Sequence, residues 1–136
     1  MGSVAQEEAK IQADAQRLVE FLDLQDVAHR KVSDLPFGTQ KRVELGRALA
    51  SQPQLLLLDE PAAGLRHKEK QGLIQVLRQL PGEGMSILLV EHDMDLVMDV
   101  CDHLVVMEFG TLLTRGTPAE VQANPAVRAA YLGTEH

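Results

Sequence analysis

A run of four leucines over residues 55–58 is followed at once by Asp59 and Glu60 and lies between two prolines. An apolar run of this length, bounded by turn-forming residues, predicts a strand that is buried on both faces of a parallel sheet. The two carboxylates then follow the strand at its carboxyl end, which is the edge where open α/β sheets bind ligands. We expect Asp59 to hold a metal ion and Glu60 to orient a water molecule beside a phosphate chain. The run alone fits a buried strand capped by solvated acids equally well.

Along the chain, the predicted structure changes from helices alone to helices that alternate with strands. Apolar residues recur with a helical period from about residue 5 to 24 and predict an amphipathic helix with one buried stripe. Thr39 is predicted to be the N-cap of a helix that ends near Ser51. We divide the chain into a helical subdomain over 1–52 and part of an α/β core over 53–136. The other predicted elements are a short helix over 26–31, a helix over 68–80, a turn over 81–84, a strand over 86–90, a helix over 94–101, a hairpin over 103–115 and a short helix from Asn124 to Tyr131.

Composition excludes several classes of protein. The 136 residues are 45% hydrophobic, which indicates a folded domain, and the formal net charge of −7 disfavours nonspecific binding of nucleic acid. No apolar run approaches the roughly 20 residues that a membrane-spanning helix needs. Zinc-type spacing of cysteine and histidine is absent. Any membrane association is therefore expected to come through a partner protein.

Four short segments occur in a fixed order that is far more specific than the leucine run alone. They are the loop and helix start over 35–39, the strand and acids over 55–60, the turn over 61–66, and His92 after a second apolar strand. Their order and spacing resemble the second half of an ATP-binding cassette (ABC) ATPase. In that family they would correspond to the Leu-Ser-Gly-Gly-Gln element, the Walker B strand, the D-loop and the switch histidine. The segments over 91–110, 116–127 and 130–133 most resemble the ATP-binding subunits of branched-chain amino acid importers.

This resemblance implies an α/β fold, namely a partial P-loop NTPase core with parallel strands and flanking helices after a helical subdomain. It also implies ATP and Mg²⁺ as ligands of the intact protein. Asp59 would hold Mg²⁺ through water, Glu60 would polarise the attacking water, and His92 would hydrogen-bond the γ-phosphate. The residues that would contact nucleotide are Pro36, Phe37, Gly38, Thr39, Gln40, Gly64 and Leu65.

Two departures from the family pattern affect these expectations. Pro36, Phe37 and Thr39 replace a Ser, a Gly and a Gln of the family element, so a hydroxyl and an N–H are lost at position 36. The sequence also contains no GxxxxGK[ST] phosphate loop. The chain thus resembles the carboxyl-terminal portion of a cassette, and we expect that it alone neither binds ATP tightly nor hydrolyses it. The family strand that leads into the missing loop would lie beside the strand ending near His92. We therefore expect exposed apolar edges, resolved by a dimer, a swapped element or local rearrangement.

Two functions remain open at this stage. The first is the energy-coupling subunit of an importer of branched-chain amino acids. In it the intact ATPase dimerises with a second ATPase subunit and drives transmembrane permease subunits, and a solute-binding protein is an indirect partner. Such a subunit would be cytoplasmic and would lie on the inner face of the cell membrane through the permease, with no nucleic-acid partner. The alternative is a noncatalytic module that modulates a true ATPase partner.

Overall fold

The computed structural model describes residues 2–80 and 84–132. These residues form two compact units, Met1–Leu89 and Val90–His136, which are described separately. Our predicted division between residues 52 and 53 stays a prediction. The first unit contains two 3-10 turns, Gln25–Val27 and Val32–Asp34. The helices and strands are α1 (Gly2–Phe21), α2 (Phe37–Ala50), β1 (Leu55–Asp59), α3 (His67–Gln79), β2 (Ser86–Val90), α4 (Met94–Val100), β3 (Leu104–Glu108), β4 (Thr111–Gly116), α5 (Pro118–Ala123) and α6 (Pro125–Val127).

Helix α1 forms where the apolar period predicts it, but its predicted buried stripe is wrong. No residue of α1 is buried, and Ile11 near its middle is 65% exposed. Burial begins only beyond the end of the helix, at Leu22, which is 1% exposed. Helix α2 contacts α1 without burying any residue of it. Within the described part of the first unit, the core lies instead around Leu22, Ile74 and Leu77.

Helix α2 begins two residues before the predicted N-cap. Pro36, with an extended ψ of 154°, is the N-cap, and Thr39 lies inside the first turn. The prediction that Thr39 caps this helix is therefore wrong. The ring of Pro36 fixes its φ at −57°, and no side-chain hydrogen bond caps the helix.

Strands β1 and β2 form a two-stranded sheet. The backbone N–H of Ser86 donates to the carbonyl of Gln54 at 2.9 Å, so both strands begin at the same edge and run parallel, as predicted. The prediction that both faces are buried is wrong. Burial alternates along β1, where Leu56 is 4% exposed while Leu57 is 65% exposed. Successive side chains of a strand point to opposite faces, so one face of this sheet is covered and the other is not.

The second unit contains the β3–β4 hairpin and the helices that follow it. The antiparallel register pairs Val105 with Arg115, as the predicted hairpin requires. Phe109 and Gly110 form the turn with φ of 50° and 76°, and left-handed φ at both central residues suits the twist of a two-residue hairpin. Helices α5 and α6 contact β4.

Helix α5 is an element that our sequence analysis missed. Thr117 caps it by accepting from the N–H of Glu120, and Pro118 occupies its first turn. The short helix predicted from Asn124 is confirmed, because the Asn124 side chain accepts from the N–H of Ala126 at the start of α6. A π-helical turn continues from Arg128 to Leu132. The predicted turn over 81–84 lies mostly outside the described residues.

Among residues 2–80 and 84–132, no helix combines the length and apolar character that crossing a membrane requires.

Candidate functional site

The carboxyl end of β1 carries the predicted metal-binding and catalytic acids of the first unit. Asp59 is the last residue of β1 and Glu60 follows it, and both are exposed. Glu60 has a φ of 47°, in the left-handed region that side chains other than glycine rarely adopt. Such a backbone conformation costs about 1–3 kcal/mol and is concentrated at functional sites. The turn at Glu60 directs the chain away from the strand axis immediately after the two carboxylates.

At the start of α2, Gln40, a predicted nucleotide-contacting residue, makes hydrogen bonds to the loop that precedes the helix. Gln40 donates from Nε2 to the carbonyl of Leu35 at 2.9 Å, and its backbone N–H donates to the carbonyl of Pro36 at 3.0 Å. The first N–H groups of a helix have no partner within it, and they carry a partial positive charge. The N–H groups of the first turn of α2, at Phe37, Gly38 and Thr39, are therefore the donors that could receive an anion here.

Gly38 and Gly64 join this loop to the turn over 61–66. A Cβ at position 38 would collide with the carboxylate of Glu69 in the first turn of α3. A Cβ at position 64 would lie 2.8 Å from Cε1 of the Phe37 ring. A side chain at position 38 would displace the flexible Glu69 carboxylate, whereas at position 64 both the φ of +77° and the Phe37 ring oppose one. The structure thus brings the two predicted nucleotide-contacting loops together.

Glu69 is a residue that our sequence analysis missed. Its Oε1 accepts from the backbone N–H of Arg66 at 3.0 Å, while the same carboxylate packs against Gly38. One side chain therefore connects the end of the 61–66 turn to the start of α2. A glutamate three residues after an N-cap is a sequence signal for this bond, but the signal is weak here because Arg66 is not a usual capping residue.

A cavity of about 510 Å³ in the first unit is lined by three of the predicted elements. Gly38 comes from α2, Asp59 from β1 and Leu65 from the 61–66 turn. Its volume is within the range of small-molecule sites, which is about 300–1,000 Å³. The charged side chains on its walls have both signs: Asp23, Lys41, Arg42, Glu44, Asp59, Lys68 and Glu69.

Two of these cations already have contacts within the unit. Nη1 of Arg42 donates to the carbonyls of Leu22 and Asp23 at 2.9 and 3.1 Å. Nζ of Lys41 lies 5.5 Å from the centroid of the Phe37 ring. Neither contact was predicted from the sequence. Arg42 therefore serves to hold α2 against the end of α1.

His92 belongs to the second unit and is exposed in the segment between β2 and α4. Its backbone N–H donates to Oε1 of Glu91 at 3.1 Å, and Asp93 next to it caps α4 by accepting from the N–H of Leu96 at 3.2 Å. These two hydrogen bonds hold the backbone on both sides of His92. The convergence of His92 with Asp59 and Glu60 stays a prediction.

The donor set at the end of β1 fits Mg²⁺ better than a metal held by the protein alone. No group of three or more His, Cys, Asp or Glu side chains that could hold an ion occurs in the part of the chain that the structure describes. Mg²⁺ usually keeps several waters and is bound through one or two carboxylates together with substrate phosphates. Asp59, an exposed carboxylate at a strand end, suits that arrangement.

Comparison with known proteins places these features in a family. The family described as "ABC transporter" matches residues 2–63, and the family described as "Branched-chain amino acid ATP-binding cassette transporter" matches residues 111–136. The chain is 45% identical over 116 residues to the high-affinity branched-chain amino acid transport ATP-binding protein LivG of Salmonella typhimurium strain LT2, and the match covers 85% of this chain and 46% of that protein. BraF of Pseudomonas aeruginosa, with the same printed description, is 43% identical over the same coverage.

The fold is also similar to that of a solved cassette. The ADP conformation of MJ1267, an ATP-binding cassette of an ABC transporter, matches with a TM-score of 0.79 and 32% identity over 91% of this chain and 50% of that one. The chain therefore spans about half the length of the proteins that it matches. From the two family matches, the similarity to LivG and BraF, and the shared fold, the chain belongs to the family of ABC transporter ATP-binding proteins.

Proposed function

We propose that this chain is part of an ATP-hydrolysing, energy-coupling subunit of an ABC importer, and that the importer carries branched-chain amino acids. The observation that carries the proposal is the pair of exposed carboxylates at the carboxyl end of β1, Asp59 and Glu60, with Glu60 at a φ of 47°. The similarity to LivG and BraF supports the choice of solute.

Hydrolysis of a phosphoanhydride needs positioning and charge stabilisation more than covalent chemistry. Glu60 would orient and polarise the attacking water, and His92 would hydrogen-bond the γ-phosphate of ATP. Asp59 would hold Mg²⁺, which neutralises phosphate charge when bound. The first turn of α2 at Phe37, Gly38 and Thr39 would donate N–H groups to nucleotide on a second ATPase subunit.

The proposed partners follow from this assignment. A second ATPase subunit would complete each site, and transmembrane permease subunits would couple hydrolysis to transport, with a solute-binding protein acting through the permease. Through the permease, the subunit would lie on the inner face of the cell membrane.

The test joins this chain to the part of Escherichia coli LivG that lies outside the matched region. That LivG is 44% identical to this chain over 116 residues, which cover 46% of its length. The fused protein should hydrolyse ATP, and Glu60→Gln should lower the rate by about 100-fold or more while ATP binding is retained. Glu108→Gln, a change of the same type at the end of β3, should leave the rate within about twofold. Loss of ATP binding in Glu60→Gln, or equal loss of rate in both variants, would contradict the assigned role.

A noncatalytic module that modulates an ATPase partner is the second candidate. The observation in its favour is that the 136 residues contain no GxxxxGK[ST] loop. Under this alternative, the fused protein stays inactive, whereas the chain alone alters the rate of a complete ATPase. Measuring both rates separates the two functions. On either account, the chain alone should show no ATP hydrolysis that depends on Glu60.

A further inference from the structure

Glu69, in the first turn of α3, contacts both of the loops that are predicted to reach nucleotide. Its Oε1 accepts from the backbone N–H of Arg66 at 3.0 Å, at the end of the 61–66 turn. Its Oε2 lies close to Gly38, which is buried in the first turn of α2, so that a Cβ added at Gly38 would collide with it. The two oxygens of one half-buried carboxylate therefore lie against two different loops.

Helix α2 begins without a cap of its own. Pro36, its N-cap, makes no side-chain hydrogen bond, and the first turn of the helix contains no acidic residue. The N-terminus of a helix carries a partial positive charge, which a nearby carboxylate stabilises. Glu69 supplies that negative charge from α3, beside Gly38. The start of α2 is therefore stabilised by a side chain that is hydrogen-bonded to the 61–66 turn.

A second contact joins the same two loops, but it is not directional. The ring of Phe37 lies against Gly64, where an added Cβ would be 2.8 Å from Cε1 of the ring. The ring is 54% exposed, and apolar contact does not depend on orientation as a hydrogen bond does. Glu69 is therefore the residue that is best suited to fix the position of one loop relative to the other.

We propose that Glu69 is a positioning residue for ATP hydrolysis, and that it holds the first turn of α2 in a fixed place relative to the 61–66 turn. Glu69 need not contact nucleotide to do this. A displacement of about 1 Å in the groups that bind a substrate can lower the rate by about 100-fold. The inference rests on the proposed function, in which both loops contact nucleotide, and it adds to that function a residue that lies outside the resembled motifs.

The first experiment measures hydrolysis by the fused protein. Glu69→Ala should lower the single-turnover rate at saturating ATP by about tenfold or more, while the Kd for ATP stays within about twofold. Glu69→Gln should keep the rate within about threefold, because its amide oxygen can still accept from the N–H of Arg66. Gly72→Ala is the matched control in α3, since nothing lies within 4 Å of the added Cβ. It should leave both quantities unchanged.

The second experiment detects the contact itself by NMR, in the whole chain without the LivG part. Gly38→Ala should shift the amide resonance of Arg66, because the new methyl group displaces the Glu69 carboxylate from its hydrogen bond. In a Glu69→Ala background, Gly38→Ala should leave the Arg66 resonance where it is. A change on α2 is thus felt at the 61–66 turn only through Glu69.

Several results would overturn the proposal. They are a rate for Glu69→Ala that equals the rate for Gly72→Ala, a rate for Glu69→Gln as low as that for Glu69→Ala, and an Arg66 resonance that responds to Gly38→Ala equally with and without Glu69. A loss of ATP binding as large as the loss of rate would also overturn it, and circular dichroism checks that each variant is folded.

The failure of this proposal is distinguishable from the failure of the proposed function. An unchanged fused protein that does not hydrolyse ATP contradicts the proposed function, and with it the catalytic role of Glu69. A fused protein that hydrolyses ATP at the same rate with and without the Glu69 carboxylate contradicts only the present proposal.

Discussion

Gly64 occupies a point where both backbone conformation and packing exclude a larger side chain. Its φ is +77°, and an added Cβ would lie 2.8 Å from the Phe37 ring. Gly84 has nearly the same φ, +78°, with nothing within 4 Å of the added atom. Substitutions at Gly84 and Gly64 therefore separate the destabilisation due to the left-handed backbone from that due to contact with the Phe37 ring.

We expect Gly84→Ala to lower the free energy of unfolding by about 1 kcal/mol, through backbone strain alone. Gly64→Ala should lower it by about 1–3 kcal/mol more, because the methyl group overpacks against Phe37. Urea denaturation measures both changes. Phe37→Ala introduced together with Gly64→Ala should recover the additional loss. Equal effects of the two single substitutions would mean that the contact between the loops has no energetic role.

Glu120 makes the stability of α5 depend on pH. The pKa of its carboxyl is lowered, mainly because the backbone N–H of Thr117 donates to it and also because the Thr117 hydroxyl does. A carboxyl whose pKa is lower in the folded than in the unfolded protein adds stability above its unfolded pKa. That stability is lost as pH falls through the lower folded value.

An NMR titration of the Glu120 side chain tests this. Thr117→Ala should raise the pKa of Glu120 toward its ordinary value by removing the hydroxyl. Thr114→Ala, which changes a threonine within β4, should not. If the pKa is the same in the unchanged chain and in Thr117→Ala, the hydroxyl does not contribute to the shift.

The types of residue at the candidate site could be predicted from the sequence, but their local partners could not. The adjacent acids and the glycines follow a pattern, whereas the bond of Gln40 to Leu35 and the contact of Glu69 with Gly38 depend on how two helices approach each other. Glycine at position 38 was expected to admit nucleotide, and in the first unit it admits a carboxylate. Spacing along the chain does not contain that information.

At the scale of elements, Arg42 connects α2 to the end of α1. Two of its three side-chain hydrogen bonds go to the carbonyls just beyond α1, at Leu22 and Asp23, and the third goes to the Thr39 hydroxyl within α2. Arg42→Met should lower the free energy of unfolding by about 1 kcal/mol, since hydrogen bonds from a charged group are worth about 1.5–3 kcal/mol and this side chain is 39% exposed. Arg47→Met on the same helix keeps both bonds and should cost less. Thermal or urea unfolding measures the loss of stability in the two variants. Equal losses in free energy of unfolding would count against the role of Arg42.

The starts of α5 and α2 show which sequence signals are sufficient to predict where a helix begins. Thr117, Pro118 and Glu120 form a capping box with proline in the first turn, so α5 could have been predicted from the sequence. The start of α2 could not be assigned by the same rule, because Pro36 has no capping side chain while Thr39 offers one. Backbone restriction at Pro36 outweighed the capping preference of threonine.

At the scale of the whole molecule, the sequence predicts the fold class but not which faces of a strand are covered. A run of leucines is compatible with burial on both sides, yet Leu57 is 65% exposed because cover depends on elements distant in the chain or outside it. The chain corresponds to about half the length of LivG and of MJ1267. The catalytic roles of Asp59, Glu60 and His92 therefore have to be measured in a complete cassette.

The most direct measurement of the central claim is a double-mutant cycle on ATP hydrolysis by the fused protein. Single-turnover rates are compared for Glu60→Gln, His92→Ala and the variant that carries both. If both side chains act on one triphosphate, the second substitution should add far less than its effect alone, because residues that act as a unit are strongly non-additive. Strictly additive losses, or a His92→Ala variant with an unchanged rate, would contradict the claim that these residues converge on one nucleotide.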